Sequence, residues 1–323
     1  MIIAYLNRNS IEPIVITPEN TDLLREAIWI DLFIPTKDEE KQIEAWLQTD
    51  IPTRDEMAEI ELSSRLYKDN GLLFMTAMMI AQSDSIDPKL DPITFVLTDK
   101  QLITIRYIEP QAFKIFCAHL KKIPLENHNA CSLLIELMDT SIDRVADIME
   151  FISRHLDDYS RTIFRPDPTS EDKLDYLKLM QTLGANGDLN TKTRESVLSF
   201  QRLLPFFEQA MGAKLVNEEH TRLVTLSKDV ASLGDHTSFL SNKVNFLLDA
   251  TLGLVNIEQN HIIKIFSVVA VLFLPPTLIA SIYGMNFHDI PELSWRYGYV
   301  YAIIAILLAA WLPYKYFKYR KWL

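Results

Sequence analysis

Two apolar runs without a single charge lie close together near the C-terminal end of this 323-residue chain. The first, IFSVVAVLFLPPTLIASIY, covers nineteen residues at 265–283. The second, YGYVYAIIAILLAAWLPY, covers eighteen at 297–314. About 20 such residues in a helix cross the roughly 30 Å hydrocarbon layer of a bilayer. Neither run carries the polar stripe of a core helix, so two transmembrane helices are expected. The sequence GMNFHDIPELSWR joins them. Lys315, Lys318, Arg320 and Lys321 follow the second span with Trp322 and several tyrosines, and the positive-inside rule places that tail in the cytoplasm. Two crossings return the N-terminal body to the same side, and only the connecting segment faces outward.

Charge divides the chain at the same place. Residues 245–323 hold six Lys/Arg and four Asp/Glu, which leaves 26 basic and 39 acidic residues in 1–244. An acidic body argues against nucleic acid, whose phosphates need clustered Lys and Arg. Cys117 and Cys131 show no pairing pattern, and His119 completes no four-ligand zinc set. MIIAYLNRNS is no signal peptide, lacking a basic n-region followed by an apolar core. A reducing, cytosolic setting for the body follows.

The first hundred residues mix strand and helix patterns. AIWIDLFIP (27–35) is a strand candidate. Thr36 with Glu39, and Thr53 with Glu56, have the spacing of capping boxes opening two helices. LLFMTAMMIA reads as a strand, and ITFVLTDKQLITIRY as a hairpin turning at Thr98, Asp99 and Lys100. From about residue 110 the pattern is helical, with breaks expected at Pro124, at RPDPTSED (165–172) and at GANGD (184–188). No phosphate-binding Gly-rich loop, HExxH or nucleophile elbow occurs. Proline is absent between Pro205 and Pro275, so 214–283 reads as one helix of about 100 Å.

That helix has a face. Asp249, Gly253, Asn256, Asn260, Ile263, Ser267, Ala270, Leu274, Thr277 and Ser281 are spaced by four and three, the periodicity with which parallel helices pack around an axis. The seam is small or polar where a dry coiled coil has Leu and Ile. A tight dry bundle is one reading, since small residues let membrane helices approach closely. A polar-lined channel around a symmetry axis is the other, with Asp249, Asn256 and Asn260 at its cytoplasmic mouth. One copy with two spans cannot enclose a path, whereas about five would leave a central hole. Pro275 and Pro276 free carbonyls one turn earlier, read either as a packing kink or as backbone that water reaches.

Gly284-Met285-Asn286 at the outer end of the first span, Pro291-Glu292-Leu293 in the loop and a basic Trp-Leu ending resemble the CorA magnesium transporters of the two-transmembrane, GMN-type metal-ion transporter family. VNFLLDATLGLVNIEQNHIIKIFSVVAVLFLPPTLIASIYGMNF is similar to the enterobacterial branch. The close match covers about the last 90 residues, and the body matches in architecture.

The resemblance implies an α+β N-terminal cytosolic domain, a very long stalk helix leading into a two-helix transmembrane domain, and a funnel-shaped homopentamer. The divisions expected are a cytosolic domain at 1–213, stalk at 214–261, pore-lining span at 262–283, periplasmic GMN loop at 284–296, second span at 297–314 and basic tail at 315–323. Asn286 would form the outer selectivity ring, with Gly284 and Met285 shaping the turn. Asn256, Asn260, Ile263, Phe266 (preferred to Ser267), Ala270, Leu274, Thr277 and Ser281 would line the pore. Asn286, Asn260 and Asp249 would meet the ion, and Asp289 and Glu292 would attract it, offset by Arg296 and His288. Asp84 and Asp87 on a loop, with Asp229 and Asp235 on the stalk, are candidate ligands for regulatory Mg2+. The implied function is influx of hydrated Mg2+, with Co2+ and Ni2+ as further passengers, through a lipid-embedded pore of the bacterial inner membrane, with both termini cytoplasmic, no enzymatic activity and no cofactor. Two rivals are a ZntB-like zinc transporter of the same superfamily and a membrane-tethered cytosolic enzyme or signalling domain.

Overall fold

In this computed structural model the described residues are 1–6, 13–120, 129–165, 175–285, 291, 295–320 and 322. They separate into two compact units, Met1–Leu248 and Asp249–Leu323.

The first unit is built on a seven-stranded sheet. Its strands are β1 (Ile2–Leu6), β2 (Pro13–Val15), β3 (Ala27–Phe33), β4 (Leu66–Asp69), β5 (Leu72–Ala81), β6 (Lys89–Leu97) and β7 (Leu102–Arg106). They lie in the order β2-β1-β3-β7-β6-β5-β4. The pairings are antiparallel except β3 with β7 at the centre. The β6–β7 hairpin turns where expected, with Thr98 N–H bonded to the Gln101 carbonyl at 2.9 Å. Helices α1 (Lys37–Leu47), α2 (Arg54–Ala58) and α3 (Leu62–Arg65) follow β3. Both expected capping boxes form: Thr36 and Thr53 accept from the backbone of Glu39 and Glu56, whose carboxylates accept in return. Each reciprocal pair satisfies two amides that the first helical turn leaves open. Ile43 of α1 and Met57 of α2 pack with Ile30, Leu32, Phe74, Val96, Ile103 and Ile105 into the core on one face of the sheet.

The alternate residues of the two central strands carry something different. Asp31 and Arg106 form an ion pair, 2.8 Å between Nη2 and Oδ2, with side chains 0% and 8% exposed. The Arg106 Nε also donates to Asp31 Oδ1 at 3.0 Å, and Nη1 donates to the Ile108 carbonyl at 3.1 Å. Thr104 Oγ1 donates to Asp31 at 2.7 Å and accepts from the Trp29 indole at 3.0 Å. Phe33 and Phe113 lie over the guanidinium at 4.2 and 4.8 Å. Phe113 belongs to α4 (Gln111–Leu120), so the network joins two strands 73 residues apart in sequence at Asp31 and Thr104 to the helix above them.

Three long helices complete the order: α5 (Ala130–Phe164), α6 (Tyr176–Met211) and α7 (Asn217–Tyr283), followed by α8 (Gly298–Tyr319). The break expected at Pro124 lies outside the described residues. At the second expected break α5 ends at Phe164. At the third, 184–188, there is none, because α6 runs straight through. The reason is tertiary. A Cβ on Gly187 would sit 3.3 Å from Val244 of α7, and Asn190 Nδ2 donates to the Thr237 carbonyl at 3.0 Å and to Ser241 Oγ at 2.8 Å. The glycine and asparagine make a close helix–helix face, which outweighs their weak helix propensity. Lys243 with Asp157 at 2.7 Å and Phe164 stacked on Phe246 tie α7 to α5.

The long helix starts at Asn217, three residues later than expected, with Lys214 in the preceding turn paired to Asp99 at 2.9 Å. It continues through Pro275 and Pro276, and α8 continues through Pro313 to Tyr319.

Removing one partner of a buried ion pair strands the other charge at a cost of about 3–5 kcal/mol. Arg106→Met is therefore expected to lower the melting temperature of the detergent-solubilised protein sharply, and Asp31→Asn in the same chain to recover much of the loss. A single variant that melts with the parent would show that the pair does not hold the central strands.

Candidate functional site

The second unit contains the C-terminal part of α7 and all of α8, both long and apolar enough to cross a membrane. On α7 the sheltered positions are Lys264, Val268, Leu272, Pro275, Ile279 and Tyr283, a stripe spaced by three and four. Leu272 shares an apolar groove with Ile304, Leu308 and Trp311 of α8, and Lys264 Nζ lies 5.5 Å from the Trp322 ring centre. On α8 the sheltered positions, Gly298, Ala302, Ala305, Ile306, Ala309, Ala310, Pro313 and Phe317, are mostly small. Small side chains permit close approach of membrane helices.

The seam faces elsewhere. At about 100° per residue it lies roughly opposite the sheltered stripe. Asp249, Gly253, Asn256, Asn260, Ser267, Ala270, Thr277 and Ser281 are exposed. So are Ile263, Phe266 and Leu274, at 54%, 71% and 67%. Ser267 Oγ donates to the Ile263 carbonyl at 2.8 Å, and Thr277 Oγ1 to Phe273 at 2.7 Å. These internal bonds quiet two hydroxyls while the amides of Asn256 and Asn260 stay on an open face. Pro275 and Pro276 are half-buried on the stripe towards α8, which favours the packing reading of the two prolines over a water-reached backbone.

At the end of α7, Gly284 N–H reaches the Ala280 carbonyl at 2.9 Å and Met285 N–H the Ile282 carbonyl at 3.3 Å. A Cβ on Gly284 would stand 3.2 Å from the Ala280 oxygen, a tight contact with backbone. Asn286, His288, Asp289 and Glu292 lie outside the described residues.

The four candidate regulatory acids all lie in the first unit. Asp84 pairs with Arg144 of α5 at 3.2 Å. The Asp87 backbone N–H bonds to Ser85 Oγ at 3.2 Å. Asp229 and Asp235 are exposed on α7. A set of acids not anticipated from sequence lies along α5, where Glu136, Asp139, Asp143 and Asp147 border a cavity of about 750 Å³ with Arg144 and Arg222. Their spacing of three and four was the available signal. Arg222 pairs with Asp139 at 3.0 Å and His119 approaches Glu136 at 3.8 Å. Burial above all, then Asp139, Asp147 and Asp229, raises the Asp143 carboxyl above its ordinary value. Among the described residues no three His, Cys, Asp or Glu converge to hold a metal ion. Among the described residues Cys117 and Cys131 form no disulfide, and the Cys117 Sγ lies 3.4 Å from the Tyr5 hydroxyl.

A mixed α/β unit is combined with an unbroken 67-residue helix and a second helix, both long and apolar enough to cross a membrane. The model of the family described as "CorA-like Mg2+ transporter protein" matches residues 25–320, and the chain belongs to that family. Proteins called magnesium transport protein CorA from Salmonella typhimurium and Escherichia coli K12 are each 37% identical to it over 305 residues, 94% of this chain and 95% of theirs. The likeness is thus not confined to the last 90 residues but extends through the body. Among solved structures, the CorA magnesium transporter from Methanocaldococcus jannaschii superposes with a TM-score of 0.74 at 16% identity, over 100% of this chain and 99% of that one. The full-length CmaX protein gives 0.69 at 16% identity over 99% and 97%. The ZntB cytoplasmic domain from Vibrio parahaemolyticus gives 0.53 at 13%, over 79% of this chain and 98% of that one. At these identities the structures share the fold.

A carboxyl whose folded pKa is raised adds stability that is complete below its unfolded value and is lost as pH rises through the folded one. Asp143→Asn is accordingly expected to melt higher than the parent at pH 7, with the gain shrinking as pH falls towards about 4. A gain that is independent of pH would assign the effect to packing instead.

Proposed function

We propose that this chain forms a homopentameric Mg2+ channel of the bacterial inner membrane, with α7 lining the pore and both termini in the cytoplasm. The observation that carries this reading is the bare seam: within the span α8 shelters one face of α7, and the opposite face presents Ser267, Ala270, Thr277 and Ser281, in helical phase with Asn256 and Asn260 of the stalk. Small and hydroxyl-bearing side chains gain little from facing hydrocarbon. Around a five-fold axis they face water. The 37% identity to the magnesium transport proteins supports the choice of ion.

Mg2+ is small, hard and slow to shed its waters. A ring of Asn286 amides accepts and donates hydrogen bonds to the hydrated ion without stripping it, with Gly284 and Met285 shaping the turn. Carboxylates there would hold a divalent ion too tightly to release it, and conduction needs weak sites. Asp289 and Glu292 draw cations to the outer mouth, and Asn260 and Asp249 receive them inside. Co2+ and Ni2+ are further passengers. Entry follows the membrane potential, about 4.6 kcal/mol per 100 mV for a divalent ion. Ile263, Phe266 and Leu274 are the bulky apolar members of the seam, and brought together they close the path by excluding water. Intracellular Mg2+ holds the closed state through acids between neighbouring bodies, among which Asp84, Asp87, Asp229 and Asp235 are candidates. The protein acts as a transporter and not as an enzyme.

In liposome flux assays Asn286→Ala is expected to abolish Mg2+ uptake while the oligomer elutes unchanged; normal uptake would remove Asn286 from the filter. Zn2+ flux in the same vesicles, with and without a proton gradient, distinguishes a zinc transporter. Leu274→Asn is expected to leave several-fold more flux at internal Mg2+ levels that silence the parent, and equal silencing in both would place the gate elsewhere.

A further inference from the structure

The outer surface of the second unit carries a groove that the ion pathway does not use. Leu272 of α7 and Ile304, Leu307, Leu308, Trp311 and Tyr314 of α8 border an apolar space of about 630 Å³. From Ile304 to Tyr314 the groove extends about 15 Å along α8. It ends at two aromatic rings, each covered by a cation from the next turn. Lys315 Nζ stands 4.6 Å from the Trp311 ring centre, and Lys318 Nζ stands 6.0 Å from that of Tyr314. Arg320 lies over Tyr316 and Lys264 over Trp322 at the same end of the helix pair, at 5.9 and 5.5 Å. α8 itself contains no Asp or Glu to neutralise Lys315, Lys318 or Arg320.

Aromatic rings at a membrane surface sit at headgroup level, with their apolar bodies towards the chains. Lysines stacked on such rings hold their ammonium groups at the depth of phosphate, and a basic pocket beside transmembrane helices selects anionic lipid. We propose that this groove is a binding site for one anionic phospholipid, an acyl chain lying along Leu272, Leu308 and Trp311 and the phosphate resting between Lys315 and Lys318. Charge complementarity commits the site to a lipid of net negative charge: neither apolar wall nor stacked cations select a zwitterionic headgroup, whose own ammonium the lysines repel.

The inference goes beyond the ion pathway and its test does not depend on flux. The purified full-length oligomer, stripped of lipid in detergent, is titrated with phosphatidylglycerol or with phosphatidylcholine of identical chains, and retention is read by native mass spectrometry. Phosphatidylglycerol is expected to be retained about tenfold more strongly. Lys315→Gln with Lys318→Gln is expected to bring the preference below about twofold, and Lys315→Arg with Lys318→Arg to preserve it. Glycerol phosphate, which has the headgroup without the chains, is expected not to compete. Equal retention of the two lipids by the parent, or an undiminished preference in the glutamine variant, would overturn the site. So would efficient cross-linking of Ala310→Cys to a neighbouring copy, which would make the groove an interface between chains.

Discussion

A membrane helix with small and hydroxyl-bearing side chains along one face gains little by turning that face to hydrocarbon, and the arrangement of the two C-terminal helices follows from this constraint. In α7 the sheltering helix α8 takes one side, so the polar face has to be met by water or by other copies of the chain. The choice of residues on the two sides follows from that division. Towards α8 stand Val268, Leu272, Pro275, Pro276 and Ile279, and the sheltered positions on α8 are mostly alanine, with Gly298, Pro313, Ile306 and Phe317. On the seam, side chains either bond back to their own helix, as Ser267 and Thr277 do, or remain open, as Asn256 and Asn260 do. A seam of this kind specifies little dry packing and much solvation.

The body meets the opposite requirement, a fixed arrangement of elements distant in sequence. A parallel pair of strands at the centre of an otherwise antiparallel sheet has no hairpin to set its register. The Asp31–Arg106 pair and the Trp29–Thr104 bond supply that register from side chains, at the desolvation cost that any buried pair carries. Trp29 then stacks on Tyr5 and meets Phe113 and Phe116 of α4, so strand register and helix docking are set by one set of contacts.

What could be read from the sequence was local or periodic. The two Thr-to-Glu capping boxes span three residues each, the β6–β7 hairpin turns within five, and the seam and spans repeat along one helix. Each signal is complete in a short window. The reading failed where distant chain decides. Gly184, Asn186 and Gly187 look like a turn until Val244, Thr237 and Ser241 are brought against that helix. The acids of α5 look like an ordinary solvated face until partial desolvation and the neighbouring Asp139, Asp147 and Asp229 raise the exposed Asp143. The parallel pairing of β3 with β7 leaves no trace in either strand. Of the candidate site, the seam positions and their common face were legible, because helical phase alone determines them; which side α8 would shelter was not.

In the proposed ring, each seam residue recurs once per chain around the axis, and its effect belongs to the assembly. A cell making both parental and altered chains would build mostly mixed rings, since a ring drawn wholly from one kind is rare when the two are equally abundant. A substitution at Asn260 or Leu274 would therefore behave as a dominant trait. One at Arg106, which acts within its own chain and removes that chain from the folded pool, would behave as recessive. The position of a residue relative to the seam thus sorts its alleles by inheritance.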